Sequence, residues 1–200
     1  MFKKTTFVAL AITLLLGGPA LAAQSVVIAP YDWTFQYIPD SASFNPNPPN
    51  IWMYLSVRDR STARGTDIIM WPNDAGQSIG GNEQRWLMWP QPDGSYGFQN
   101  SNSSLCLYGT NKPGESLHQD GCDPSNPYDK WLFVNTFKDP STPNTVGQLK
   151  NEGSGLYMDV SGGGDLFRNI YYISQGNVID NWYAQTGASQ NQLFIIYPTQ

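Results

Sequence analysis

Few residues in this chain have side chains suited to acid–base or covalent chemistry. The one histidine, His118, lies in Glu115-Ser116-Leu117-His118-Gln119-Asp120, with no nucleophile motif beside it. A Ser-His-Asp or Cys-His mechanism needs a base held against a nucleophile, and a lone imidazole supplies no such pair. The carboxylates of Asp120, Asp123 and Asp129 are close in sequence. Paired carboxylates hydrolyse glycosides across a cleft, and clustered acids bind calcium, but this spacing is that of a turn, not of an EF-hand loop. Catalysis is therefore not expected, and neither a metal nor a cofactor is implied. Asn102-Ser103-Ser104 is a glycosylation sequon, but a three-residue motif is frequent by chance.

The two cysteines, Cys106 and Cys122, have one evident use. A two-cysteine metal site would need further ligands, and His118 is the only histidine. In an oxidising compartment the pair forms a disulfide. The N-terminus points to that compartment. Lys3 and Lys4 precede the apolar run Phe7 to Leu16, which is too short to span a bilayer. Gly17, Gly18 and Pro19 break the run, and Ala20-Leu21-Ala22 offers the small residues of a signal-peptidase site. Residues 1–22 are thus expected to be a signal peptide, and the mature protein secreted, extracellular or periplasmic. Its loss removes two lysines and no acid, taking the formal charge from −5 to −7.

Composition narrows the class further. Aromatic and charged residues are each 14% of the chain, with 19 Gly and 15 Pro, so a helical bundle or coiled coil is excluded. An acidic chain lacks the basic face that nucleic acid requires. A 40% hydrophobic content rich in rings can build a core, which argues against disorder.

The elements that must position any site are short and repeated. Phe98 to Leu107 lies over Leu149 to Met158 at an offset of 51, with Asn100 on Asn151 and Ser103 on Ser154. A further step of 52 places Leu55 under Leu107. Three units follow, about 54–104, 105–155 and 156–200. Each holds a triplet of polar residue, any residue and large aromatic: Gln84-Arg85-Trp86, Asp129-Lys130-Trp131 and Gln192-Leu193-Phe194. Runs such as Asp67 to Trp71, Trp86 to Trp89, Trp131 to Val134 and Leu193 to Tyr197 read as strands between Asn-, Gly-, Ser- and Pro-rich turns. Three sets of short strands with one aromatic each predict an all-β chain, a β-trefoil with Trp86, Trp131 and Phe194 around a pseudo-threefold axis. The trefoil is expected over residues 51–200, after an extended N-terminal arm at 23–50 that contains a strand-like run from Tyr31 to Tyr37 and the prolines 46, 48 and 49, and that packs to close the bottom of the trefoil or reaches to a partner subunit.

The three triplets, with Cys106-Leu107 followed by Cys122, resemble the ricin B-type lectin repeat. The chain departs from that pattern in Asp129 for Gln, in Phe194 for Trp, and in an extra stretch around Arg168 to Gln175. Gly97 to Asn100 running into Leu105-Cys106-Leu107, with a Trp-rich first repeat, is also loosely similar to the A and C subunits of cytolethal distending toxins. Those are secreted trefoils that carry a nuclease subunit to host cells. The resemblance implies a sugar site made of an Asp early in a repeat, a ring that stacks on the sugar, and an Asn just before the triplet. The third repeat supplies all three: Asp159, then Trp182 or Tyr183, then Asn191 and Gln192. The first and second repeats carry Ser56 and Tyr108 where the Asp is expected. Trp71 and Trp89 are core residues or an exposed aromatic patch for a glycolipid, a sterol or another protein. The expected partner is a glycan or glycolipid on a target cell, with other toxin subunits as further partners. The rival expectation is a protein-interaction trefoil, an assembly subunit or protease inhibitor with no working sugar site.

Overall fold

Each strand is only three to eight residues long, because Gly, Asn and Pro interrupt the apolar runs before they can extend. The computed structural model describes residues 22–31, 53–72, 81–140, 142–161, 178–184 and 190–199. Within them lie strands β1 (Gln24–Pro30), β2 (Met53–Val57), β3 (Ile68–Pro72) and β4 (Trp86–Pro90). Next come β5 (Tyr96–Asn100), β6 (Cys106–Tyr108), β7 (His118–Asp120) and β8 (Trp131–Lys138). The last four are β9 (Thr145–Asn151), β10 (Tyr157–Val160), β11 (Ile179–Trp182) and β12 (Phe194–Pro198).

Two sets of strands divide the work. The antiparallel pairings β1–β4, β4–β5, β5–β8, β8–β9, β9–β12 and β12–β1 close a six-stranded barrel. The hairpins β2–β3, β6–β7 and β10–β11 form a three-part cap. The hairpins meet through the bridges Asp67↔His118, Ile69↔Val178 and Ser116↔Asp180. Each lobe thus contributes one barrel strand, one hairpin and a second barrel strand, which is a β-trefoil.

Hairpin register fixes which residues correspond. Ser56 pairs with Ile69, Tyr108 with His118 and Asp159 with Asp180. The core then falls into sets of three: Leu55, Leu107 and Met158; Ile68, Leu117 and Ile179; Ile28, Phe98 and Leu149; Trp86, Trp131 and Phe194. All twelve are fully buried and pack in one cluster. Burying one such side chain stabilises by roughly 1.5–3 kcal/mol. The Trp86 and Trp131 indole N–H groups donate to the Leu55 and Leu107 carbonyls, each at 3.1 Å. Phe194 has no N–H to satisfy, so the third lobe accepts a plain ring at that place.

A 3-10 turn precedes each of these rings, at Asn82–Gln84, Pro127–Asp129 and Gln190–Gln192. The triplet's polar residue ends the turn. Gln84 Nε2 donates to the Trp71 and Pro72 carbonyls at 3.2 and 3.0 Å. Gln192 Nε2 donates to the Tyr183 carbonyl at 2.9 Å. Asp129 has only acceptors, and it instead takes the Asp123 backbone N–H at 2.7 Å. Burial pushes the Asp129 carboxyl up to about 6.

Asn100 and Asn151 close equivalent turns. Asn100 donates to the Glu83 carbonyl and Asn151 to the Tyr128 carbonyl, both at 2.9 Å. Their Oδ1 atoms accept from the Ser103 and Ser154 backbones. Cys106 and Cys122 are joined in a disulfide. It closes the second lobe's hairpin, a constraint of about 3 kcal/mol in the chain-entropy view.

The boundary expected at residue 51 requires a correction. Gln24–Pro30 is not outside the trefoil; it is β1, a barrel strand between β4 and β12 with Val26 to Ala29 buried. A barrel with β1 removed would leave β4 and β12 as open edges, so the lobes run 24–90, 96–138 and 145–198. Residues 1–21 and 32–52, with most of the expected leader and arm, lie outside the described residues, as does the stretch from Arg168 to Gln175. Among the described residues no helix is long and apolar enough to cross a membrane.

Candidate functional site

In the third lobe, β10 carries Asp159, β11 carries Asp180 and Trp182, and the turn Gln190–Gln192 carries Asn191 and Gln192. Register places Asp159 directly opposite Asp180, and Tyr157 opposite Trp182. Asn191 Nδ2 donates to both Asp159 oxygens, at 3.0 and 2.9 Å. Gln192 Nε2 donates to Asp159 Oδ2 at 3.0 Å. Gln148 Nε2 on β9 donates to Gln192 Oε1 at 3.2 Å, so the clamp is tied to the barrel.

This carboxylate is electrostatically uncomfortable. Asp159 and Asp180 are only 5% and 6% exposed. Burial, with the nearby Asp180 charge adding to it, pushes the Asp159 carboxyl up to about 7 against the pull of the Gln192 and Asn191 hydrogen bonds. Burial also raises Asp180, and its Oδ1 has no hydrogen-bond partner among the described residues.

Two rings stand beside the pair. Trp182 is 40% exposed and Tyr183 63% exposed, with centroids 6.3 Å apart and planes at 70°. Trp182 rests over Gly114 of the second lobe, where a Cβ would lie 3.0 Å from the ring. Gly114 also has φ +78° and donates its N–H to the Asn181 carbonyl at 2.7 Å. Asn181 Nδ2 returns a hydrogen bond to the Thr110 carbonyl at 2.7 Å. The second lobe therefore fixes the strand that carries the ring. An acceptor carboxylate beside an open indole face is suited to a ligand with both hydroxyls and an apolar C–H surface.

The structure thus brings together Asp159, Trp182, Tyr183, Asn191 and Gln192. It does not join Trp71 and Trp89 in one patch. Trp71 lies on cap strand β3, while Trp89 lies on barrel strand β4 and covers Gly97, where a Cβ would overlap the indole. Sequence reading missed Asp180, although its hairpin partner was in hand. It also missed the second lobe's arrangement. There Tyr108 stacks on Tyr128 at 5.7 Å and on His118 at 5.0 Å. These three rings occupy the positions of Asp159, Asn191 and Asp180. His118 is a member of that stack. Among the described residues no three His, Cys, Asp or Glu side chains gather as a metal site.

Comparison with known proteins agrees with the β-trefoil fold. Residues 82–169 match the family model described as a ricin-type beta-trefoil lectin domain-like family. No curated protein matches at the level of sequence alone. Among solved structures, the designed threefold-symmetric protein ThreeFoil is 17% identical, covers 86% of this chain and 97% of its own, and has a TM-score of 0.61. The Macrolepiota procera ricin B-like lectin, solved with lactose, is 16% identical over 88% of this chain and 96% of its own, with a TM-score of 0.55. The Haemophilus ducreyi cytolethal distending toxin is 17% identical over 73% of this chain and 77% of its own, with a TM-score of 0.52. The chain is thus a β-trefoil by the fold of its three lobes, and its residues 82–169 are similar to a ricin-type beta-trefoil lectin domain-like family.

Proposed function

We propose that this is an exported, non-enzymatic carbohydrate-binding protein that recognises glycans or glycolipids on a target cell through its third lobe, as the cell-binding subunit of a bacterial toxin. The observation that carries the reading is the clamp of Asn191 and Gln192 on Asp159, beside the exposed Trp182 and Tyr183. Burying two carboxylates with no cation beside them among the described residues costs stability, and such sites are kept where a ligand uses them. Asp159 accepts hydroxyl hydrogen bonds, Asn191 and Gln192 hold it in place, and Trp182 or Tyr183 stacks on the ring. Neighbouring trefoils of a lactose-bound lectin and of a toxin support the sugar and the toxin parts of this reading. One shallow site binds weakly, so useful affinity on cells comes from several sites or subunits together.

A glycan array with the full chain and with Asp159→Ala tests it. The reading expects binding to a restricted set of glycans that Asp159→Ala abolishes while the circular dichroism is unchanged. Absence of glycan binding, together with a co-purifying protein, supports the rival protein-interaction trefoil. The filled second lobe and the loss of the Asp at Ser56 favour that rival.

A further inference from the structure

The polar residue of each triplet serves the end of its own lobe's hairpin. Register makes Trp71, Asp120 and Trp182 correspond, since they stand opposite Tyr54, Cys106 and Tyr157. The residues that follow them, Pro72, Gly121 and Tyr183, then correspond as well. In the first lobe Gln84 Nε2 donates to the Trp71 and Pro72 carbonyls, and in the third Gln192 Nε2 donates to the Tyr183 carbonyl. The second lobe has Asp129 at this place, and an ionised carboxylate has no hydrogen to give to Asp120 or Gly121.

Asp129 is nonetheless buried like the two glutamines, at 2% exposed. Its Oδ2 accepts the Asp123 backbone N–H at 2.7 Å, which holds the carboxyl against the segment that leaves β7. Its Oδ1 has no hydrogen-bond partner among the described residues. Burial, with the Asp123 and Asp120 charges adding to it, pushes this carboxyl up to about 6 against the pull of the Asp123 N–H. Hydrogen bonds from Ser125 hold Asp123 below the usual carboxylate range, so its charge persists. The cations nearby are engaged elsewhere. Arg64 is turned to Asp120 at 3.5 Å, Lys130 to Asp93 at 2.6 Å and Glu152 at 4.0 Å, and Lys150 on β9 lies over the Tyr157 ring. From β6 and β7 come Tyr108 and His118, the two rings stacked with Tyr128.

We infer that Asp129 is an acid-operated latch on the second hairpin: ionised, it leaves the end of β7 without the donor that the other two lobes supply, and protonated it donates its own O–H to the Asp120 or Gly121 carbonyl. The proton comes from solvent and replaces the amide hydrogen of Gln84 and Gln192. A carboxyl whose folded value lies above its unfolded one stabilises fully below the unfolded value near 4, and that stabilisation is lost as pH rises through about 6. The second hairpin therefore tightens in mild acid, while the first, latched by Gln84, does not respond. The latch stands independently of the glycan reading.

Residue-resolved amide hydrogen exchange on the full chain at pH 5, 6 and 7, corrected for intrinsic exchange, tests this. The amides of β6 and β7 report on the second hairpin, and those of β2 and β3 on the first as an internal reference. The inference expects protection in the second hairpin to fall about tenfold from pH 5 to pH 7 relative to the first, as for loss of one hydrogen bond. Asp129→Asn, which carries a permanent N–H donor, should be flat over that range and as protected as the wild type at pH 5. Asp129→Gln should behave the same way. Both variants keep His118, so a transition that survives in them belongs to the imidazole and overturns the inference. Wild-type protection that is independent of pH also overturns it. The wild type alone gives a second reading: the Asp129 carboxyl carbon resonance should titrate near 6, and the Gly121 and Asp123 amide resonances should move with it. A midpoint near 4, or amides that ignore it, would refute the latch even if the variants failed to fold.

Discussion

The second and third lobes place different chemistry on the same backbone. At the three corresponding positions the third lobe has Asp159, Asp180 and Asn191, and the second has Tyr108, His118 and Tyr128. In the third lobe the carboxylate is clamped beside open rings, whereas in the second the rings stack on one another. Beneath them the core hardly changes: Leu107 and Met158, Leu117 and Ile179, Trp131 and Phe194 are all fully buried. Fold is therefore held by residues the lobes share, and the proposed binding by residues in which they differ. A trefoil can fill one pocket with its own side chains without disturbing its axis.

That division predicts a ranking of effects. Trp131→Ala removes a buried ring and an indole hydrogen bond from the shared core, and should destabilise the whole trefoil by about 3–5 kcal/mol in denaturant melts. Replacing both cysteines by serine loosens only the second hairpin. It should cost about 3 kcal/mol by the same measurement and leave glycan binding in place. If it abolished binding, the two lobes would be more tightly coupled than the contacts of Gly114 and Asn181 with each other's strands suggest.

Acidity separates the lobes more finely. Asp159 titrates above the ordinary carboxylate value because the folded site favours its neutral form. The unfolded chain gives up that proton near pH 4, so as pH rises from there through about 7 the folded state is progressively penalised and stability falls. Asp159→Asn should flatten that slope in pH-dependent melts. Glycan binding should run the other way, strengthening over the same window as the acceptor ionises. The smallest effect belongs to the second lobe. Tyr128→Ala removes one ring of the stack and should cost about 1 kcal/mol in melts, with glycan binding unchanged.

Much of this was legible in the sequence because symmetry repeats it. The offset of 51 paired Asn100 with Asn151 and Ser103 with Ser154, and in the structure they make the same turn. The triplets marked the rings of the core, since a large aromatic after a polar residue recurs only where an axis demands it. β1 was hidden because its end departs from the repeat: Pro30 stands where Asn100 and Asn151 make the turn in the other lobes. Asp180 was hidden for another reason. Its partner Asp159 is twenty-one residues earlier, and only hairpin register brings them together.

The most direct test is a crystal structure of the full chain soaked with the tightest glycan from the array. The expected result is a sugar ring seated on Trp182 or Tyr183, with a hydroxyl donating to Asp159 and Asn191 still holding that carboxylate. A sugar bound elsewhere, with the Asp159 clamp untouched and empty, would contradict it.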